Sequence, residues 1–188
     1  MNFTLRLLLI SILFAGCQGS GNNDSIPIVT LDQLQDGQGR VDITIGENLF
    51  YADSSIFQGS TSISHGTMAV NLKDQSEGQI ILSFQLPSDL PKRPWIHSLN
   101  ERDQRSGSLL VGKIIDKSAR KGLGYVMTQG QITVARFDQQ ALIISVVGMA
   151  GKYGAEGLST QKIPVEGSIT IKKPVVALDD LTWKDLLP

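Results

Sequence analysis

A hydrophobic period of two recurs along most of this chain, and it constrains the fold more than any other feature. Val41, Ile43 and Ile45 alternate with Asp42 and Thr44. Met68, Val70 and Leu72 alternate with Ala69 and Asn71, and Ile80, Leu82, Phe84 and Leu86 follow in the same phase. Val165, Gly167, Ile169 and Ile171 alternate with Glu166, Ser168 and Thr170. In an extended strand successive side chains point to opposite faces, so each segment buries one face and wets the other. One dry face and one wet face is the mark of antiparallel sheets.

The turns between these runs fit hairpins. Gly46, Glu47 and Asn48 turn the chain, and Leu49, Phe50, Tyr51 and Ala52 return it. A polar turn at 74–78 separates the second pair of runs. Leu109 to Ile115 resumes the strand pattern, and a basic loop at 117–121 and a run from Gly122 to Met127 follow. Residues 130–137 lead through Asp138, Gln139 and Gln140 into 141–147, which is apolar on both phases and reads as a central strand. Residues 148–157 carry four glycines but neither a G-x-x-x-x-G-K-[ST] nor a G-x-G-x-x-G pattern, so they read as a flexible connection rather than a phosphate cradle. Gly39, Gly130 and Gly167 each read as a glycine turn opening an amphipathic strand, without making a repeat. Short helices are expected at the ends. Thr30 and Gln33 have capping-box spacing before Gly37, and residues 178–187 would be capped by Asp179 or Asp180, with Leu181 and Trp183 docking on the sheet. About nine or ten short strands with marginal helix predict an all-β domain, an antiparallel β-sandwich or flattened barrel with short peripheral helices.

One connection stands out. Residues 87–107 hold Pro87, Pro91 and Pro94, then Trp95, His97, Glu101 and Arg102. Pro94 suits the first turn of a helix, on which Trp95 and Leu99 share a face. The functional reading is a flap carrying Trp95, His97, Glu101 and Arg102 to a partner or ligand. The structural reading, which aromatic residues at helical spacing favour, is a helix plugging one end of the sheet.

The start of the chain has a different character. Arg6 precedes an apolar run from Leu7 to Phe14, and Ala15 and Gly16 precede Cys17, the single cysteine. A run of this length makes a helix of roughly 12 Å, too short for a hydrocarbon core of about 30 Å. A charged start, a short apolar middle and small residues before a cut are the parts of a secretory signal. Leu13-Phe14-Ala15-Gly16-Cys17 resembles a bacterial lipobox, with Phe14 in a place where the family usually has Leu. The resemblance implies a signal peptide over 1–16, an acylated Cys17 as new N-terminus, and a membrane held through its acyl chains. In the enteric sorting rule Gln18 in place of Asp implies the outer membrane rather than the inner. Residues 17–25 read as a tether spanning roughly 16 Å. Residues 26–188 read as a single domain, similar in strand order to small β-sandwich lipoproteins of Gram-negative bacteria, with the hairpin at Gly46 to Tyr51 and the run from Gly130 to Ile171 carrying the likeness.

The chemistry is narrowed by elimination. Seventeen basic residues, less Arg6, stand against eighteen acidic ones, which leaves no electrostatic footprint for nucleic acid. With Cys17 acylated no thiol remains, and the two histidines, His65 and His97, lie far apart in sequence, so ordinary zinc sites, cofactors and disulfides are not expected. His65 reads as solvated. Asp32, Asp36 and Gly37 suggest a calcium loop, but Leu34 and Ile43 stand where oxygens are needed. There is no G-x-S-x-G elbow. The reading is a lipid-anchored cell-envelope β-domain, not an enzyme, that binds an envelope protein or small ligand or serves a structural role. The alternatives are a carrier of an apolar ligand in a barrel cavity, or an envelope hydrolase using Glu101 or His97.

Overall fold

The computed structural model describes residues 29–101 and 107–187. The expected signal peptide and tether, Cys17 and Arg102 lie outside them. The elements are α1 (Val29–Asp32), β1 (Gln38–Ile45), β2 (Asn48–Leu49), β3 (Phe57–Ser64), β4 (Thr67–Asp74), β5 (Gln79–Gln85), β6 (Trp95–Leu99), β7 (Gly107–Asp116), β8 (Lys121–Phe137), β9 (Ala141–Gly154), β10 (Gly157–Lys172), β11 (Val176–Leu178) and α2 (Trp183–Leu186).

The fold is all-β, and its strands join one eleven-stranded sheet in the order β11-β3-β4-β5-β7-β8-β9-β10-β1-β2, with β6 added on β8. β1 also pairs with β3, through Gln38 opposite Gln58 and Gly39 opposite Phe57. That short seam joins the two ends of an eight-strand path, so the sheet closes on itself as a barrel. β8, β9 and β10 are the longest strands, and β8 serves two walls. Before Gly130, β8 pairs with β7; from Gly130 onward the same edge pairs with β6.

Glycine makes that change of wall sterically possible. Gly130 sits opposite Gly148, and β-carbons there would fall 2.2 Å from the Val147 carbonyl oxygen and 2.0 Å from that of Gln129. On β10, Gly167 has φ +151 and would put a Cβ 2.0 Å from the Asp42 carbonyl oxygen. Backbones approach at these corners more closely than any side chain permits. A register shift between Met127 and Gln129 lies beside the first corner, where a bulge would bend the strand.

The period-two residues face inward as expected. Val41 and Ile43 from β1, Val70 and Leu72 from β4, Ile80 and Leu82 from β5, Ile132 and Val134 from β8, and Ile169 and Ile171 from β10 belong to one buried cluster. Each fully buried aliphatic side chain contributes roughly 1.5–3 kcal/mol of transfer free energy, set against the entropy of ordering the chain.

Several expectations need correction. Residues 95–99 are strand, not helix. Trp95 and Leu99 are both buried while Ile96 and Ser98 are exposed, so the period is two, and pairing with residues 130–134 fixes it. Residues 148–157 are not a loop: β9 runs to Gly154, and only Ala155 and Glu156 separate it from β10. Gly130 and Gly167 lie inside strands rather than before them. The sheet is not wholly antiparallel, because β11 runs parallel to β3. A strand also forms at Phe57–Ser64, which the pattern did not announce, because Gln58 to Ser62 are polar or glycine. The last helix is capped not by Asp179 or Asp180 but by Thr182, whose backbone N–H and hydroxyl both donate to the Asp185 carboxylate at 2.7 Å.

Candidate functional site

Loops cross the core at the two ends of the barrel. At one end the β1–β2 turn returns through Leu49, and Phe50 then folds inward, its N–H donating to the Ile43 carbonyl at 2.8 Å. Tyr51 is 4% exposed. Its hydroxyl donates to the Gln79 carbonyl at 2.7 Å and accepts from the Gly112 N–H at 3.2 Å, so it reaches β5 and β7 from the β2–β3 connection. Phe50 and Phe57 meet the Tyr51 ring edge-on, with centroids 4.8 and 4.9 Å away, and Tyr125 packs edge-on against Phe50. The Lys113 ammonium lies 4.6 Å from the Phe50 ring centroid and donates to the Phe50 carbonyl. Burial pushes the Tyr51 phenol well above its usual pKa, against the opposing hydrogen bond from Gly112. This is a filled aromatic plug with its one hydroxyl satisfied.

The other end is closed by the stretch before β6 and by the C-terminal helix. Trp95 is 1% exposed, and its indole N–H donates to the Leu90 carbonyl at 3.0 Å. The Arg93 guanidinium stacks 3.6 Å from the Trp95 ring centroid. It donates to the carbonyls of Leu90, Phe137 and Leu186, the last at 3.1 Å from the final turn of α2. Phe137 lies between Trp95 and Trp183, with centroid distances of 5.8 and 5.3 Å. Burial lowers the Arg93 pKa to about 10, partly offset by Asp138, so the group stays charged at neutral pH and holds the C-terminal carbonyl of α2 as a cation should.

The structure distributes the flap residues over different environments. Trp95 belongs to the core at the Arg93 end. His97 is half-buried, with its ring 5.7 Å from that of Phe84. Glu101 is exposed and pairs with Lys162 at 3.1 Å, with the Thr128 hydroxyl at 3.3 Å. The Lys162 hydrogen bond holds the Glu101 carboxyl below the usual range. The strand conformation also removes the i,i+4 relation between His97 and Glu101 that a helix would have given. Trp95 does close an end of the sheet, as the structural reading of 87–107 expects, though from a strand.

One cluster resembles a nucleophile set. The Ser64 hydroxyl donates to Asp179 at 3.0 Å and lies 2.6 Å from His65 Nδ1. In an activated serine the imidazole stands between hydroxyl and carboxylate. Here the serine stands between them: its hydroxyl donates to the carboxylate and its oxygen meets the imidazole, so Asp179 engages the hydroxyl rather than the ring. His65 and Asp179 are exposed and Ser64 is half-buried, and together they tie the β3–β4 turn to the end of β11. His65 has φ 49 and sits with Gly66 at the tip of that turn, solvated as read from the sequence. Among the described residues no group of three or more His, Cys, Asp or Glu side chains is placed to hold a metal ion, and no helix is long and apolar enough to cross a membrane.

Sequence reasoning missed Arg93, Tyr51 and Lys113 as organising residues. Lys113 carried a signal: it follows Leu109 and Val111 on the inward phase of β7, where a cation needs a partner. Arg93 and Tyr51 carried none, since their partners lie as far as 93 and 61 residues away. Comparison with known proteins finds no matching family model, no matching curated protein and no matching solved structure.

Proposed function

We propose that this chain is a lipid-anchored β-domain of the bacterial cell envelope with a non-catalytic binding or structural role, held to the membrane, preferentially the outer one, through Cys17. The observation that carries the non-catalytic part is how the chemistry-bearing side chains are occupied. Trp95 and Arg93 close a barrel end, His97 packs beside Phe84, Glu101 is held by Lys162, and Ser64 is tied between His65 and Asp179. The large buried apolar side chains of the eight barrel strands belong to one cluster, which favours recognition on the outer surface over carriage of a ligand inside. The anchor rests on the lipobox and needs its own test. Cells fed a labelled fatty acid should incorporate it into this protein, and Cys17→Ser should abolish both the label and recovery in the membrane fraction. Label that survives in Cys17→Ser would refute the anchor. Separately, His97→Ala with Glu101→Ala should rescue whatever envelope phenotype a deletion strain shows; failure to rescue with the fold intact would return the hydrolase to first place.

A further inference from the structure

We infer that the paired turns at the far end of β7–β8 and β9–β10 form a docking surface for an anionic phospholipid bilayer. The proposal concerns the folded domain and stands whether or not Cys17 is acylated. The register that sets Ile114 opposite Gly122, and Gly124 opposite Tyr153, brings both turns to one end of the molecule. There, three large apolar residues meet water: Ile115 and Tyr153 are 49% and 54% exposed, and Ile114 lies beside them, also exposed. At the same end lie Arg120 and Lys121 in and after the β7–β8 turn and Lys152 next to Tyr153 on β9, all exposed, and among the described residues none of the three is in an ion pair. Lys117 is nearby, paired with Glu77 at 3.2 Å. The opposing acids are Glu77, Glu156 and Asp116, whose carboxylate is engaged by the Ser118 hydroxyl and the Ala119 N–H. Cations thus outnumber acids at this tip, whereas the whole chain has a net charge of −1.

Exposed aliphatic and tyrosine side chains ringed by Lys and Arg match a membrane interface. The apolar groups enter the headgroup boundary, the tyrosine ring bridges apolar and wet zones, and the cations meet anionic lipid. Opposite Ile114 and Tyr153 lie Gly122 and Gly124, where an added Cβ would meet nothing closer than 3.6 Å, so the neighbouring sheet surface is low and leaves these side chains proud. Position in the fold gives the surface a direction. The chain enters the domain at the other end of β10, where Gly37 N–H donates to the Lys172 carbonyl and Asp36 pairs with Lys173, both at 2.8 Å. Sixteen residues of β10 separate the two ends, up to about 50 Å if straight. The tip therefore faces away from the N-terminal entry, as a second contact and not part of the first.

The test uses the full chain immobilised through a C-terminal tag, at the end away from the tip. Capture of fluorescent phosphatidylcholine vesicles, with and without phosphatidylglycerol, is compared between the parent and Arg120→Glu/Lys121→Glu/Lys152→Glu. The parent should capture the phosphatidylglycerol vesicles at least about tenfold better than the triple variant, and salt should erase the difference. Ile115→Ser/Tyr153→Ser should weaken capture without abolishing its lipid preference. Any acyl chain contributes equally to parent and variants, so the difference reads the tip alone, while the mass of the N-terminal peptide reports the anchor separately. Equal capture by parent and triple variant, no preference for phosphatidylglycerol, or binding to a soluble polyanion in place of vesicles would each overturn the proposal.

Discussion

The two ends of the barrel put a cation against an aromatic ring, Lys113 over Phe50 at one and Arg93 over Trp95 at the other. They differ in what the cation joins. Lys113 binds a carbonyl of the same plug whose ring it covers. Arg93 joins three segments: its own connection at Leu90, the end of β8 at Phe137 and the C-terminal helix at Leu186. The compact ammonium serves as a point charge, whereas the flat guanidinium offers several donors and a face to stack. One end is thus plugged locally, and the other is clamped by parts of the chain distant in sequence.

The comparison is most strongly tested by Trp95→Ala, which removes the largest fully buried side chain and the surface on which Arg93 stacks. The loss should be about 3–5 kcal/mol of unfolding free energy in denaturant titrations. An unchanged midpoint would mean that the clamp is not part of the folded core. Arg93→Met keeps the stem but leaves three carbonyls without their charged donor, and should cost roughly 1.5–3 kcal/mol. Lys113→Met, measured in parallel, should cost less, since Lys113 joins one carbonyl and one ring where Arg93 joins three carbonyls and a ring. Equal losses would erase the proposed difference between a plug and a clamp. A protease-resistance assay sharpens this further, because only Arg93→Met should release the residues after Asp180.

Tyr51→Phe should cost about 1 kcal/mol at neutral pH, from the lost bonds to Gln79 and Gly112. Its clearer signature is in alkali. Burial raises the phenol's pKa in the fold, while the unfolded chain ionises near its ordinary value of 10. The folded state therefore binds more protons above that pH. The phenol's contribution is complete below about pH 10 and is lost as pH rises from there through the folded pKa. Thermal midpoints measured above pH 10 should fall less steeply for Tyr51→Phe than for the parent. The smallest effect belongs to Glu101→Gln: the pair with Lys162 is on the surface, so the denaturation midpoint should not move measurably, and any shift should vanish in salt.

The strands were legible where one face is apolar and the other polar, as in β1, β4, β5 and the second half of β10. They were illegible where that contrast fails. β3 places buried Phe57 and Ile63 six residues apart with buried Thr61 between them, so its inward face does not read as apolar. β6 was misread because Trp95, Ile96 and Leu99 satisfy a helical spacing equally well, and only pairing with β8 decides between the periods. The glycines at 130, 148 and 167 look like turn residues because a turn and a close strand crossing both require the absence of a side chain. At the barrel ends, the value of Trp95 as a closing residue was readable from its type. Its support by Arg93 was not, because a charge reaching carbonyls from opposite ends of a chain leaves no local mark.

The seam between β1 and β10 also sets the order in which this fold can be completed. Seven residues of β1, Gly39 to Ile45, find their main partners between Val165 and Ile171. A chain emerging from its N-terminus makes the first of these strands early and the second almost last. Until residue 171 arrives, β1 has only the two pairs of β2 and the two of β3 to hold it. Such distant pairing is slow to form, and it leaves an apolar strand edge waiting throughout synthesis. Closure of the barrel is therefore a late event, delayed until the polypeptide is nearly all available.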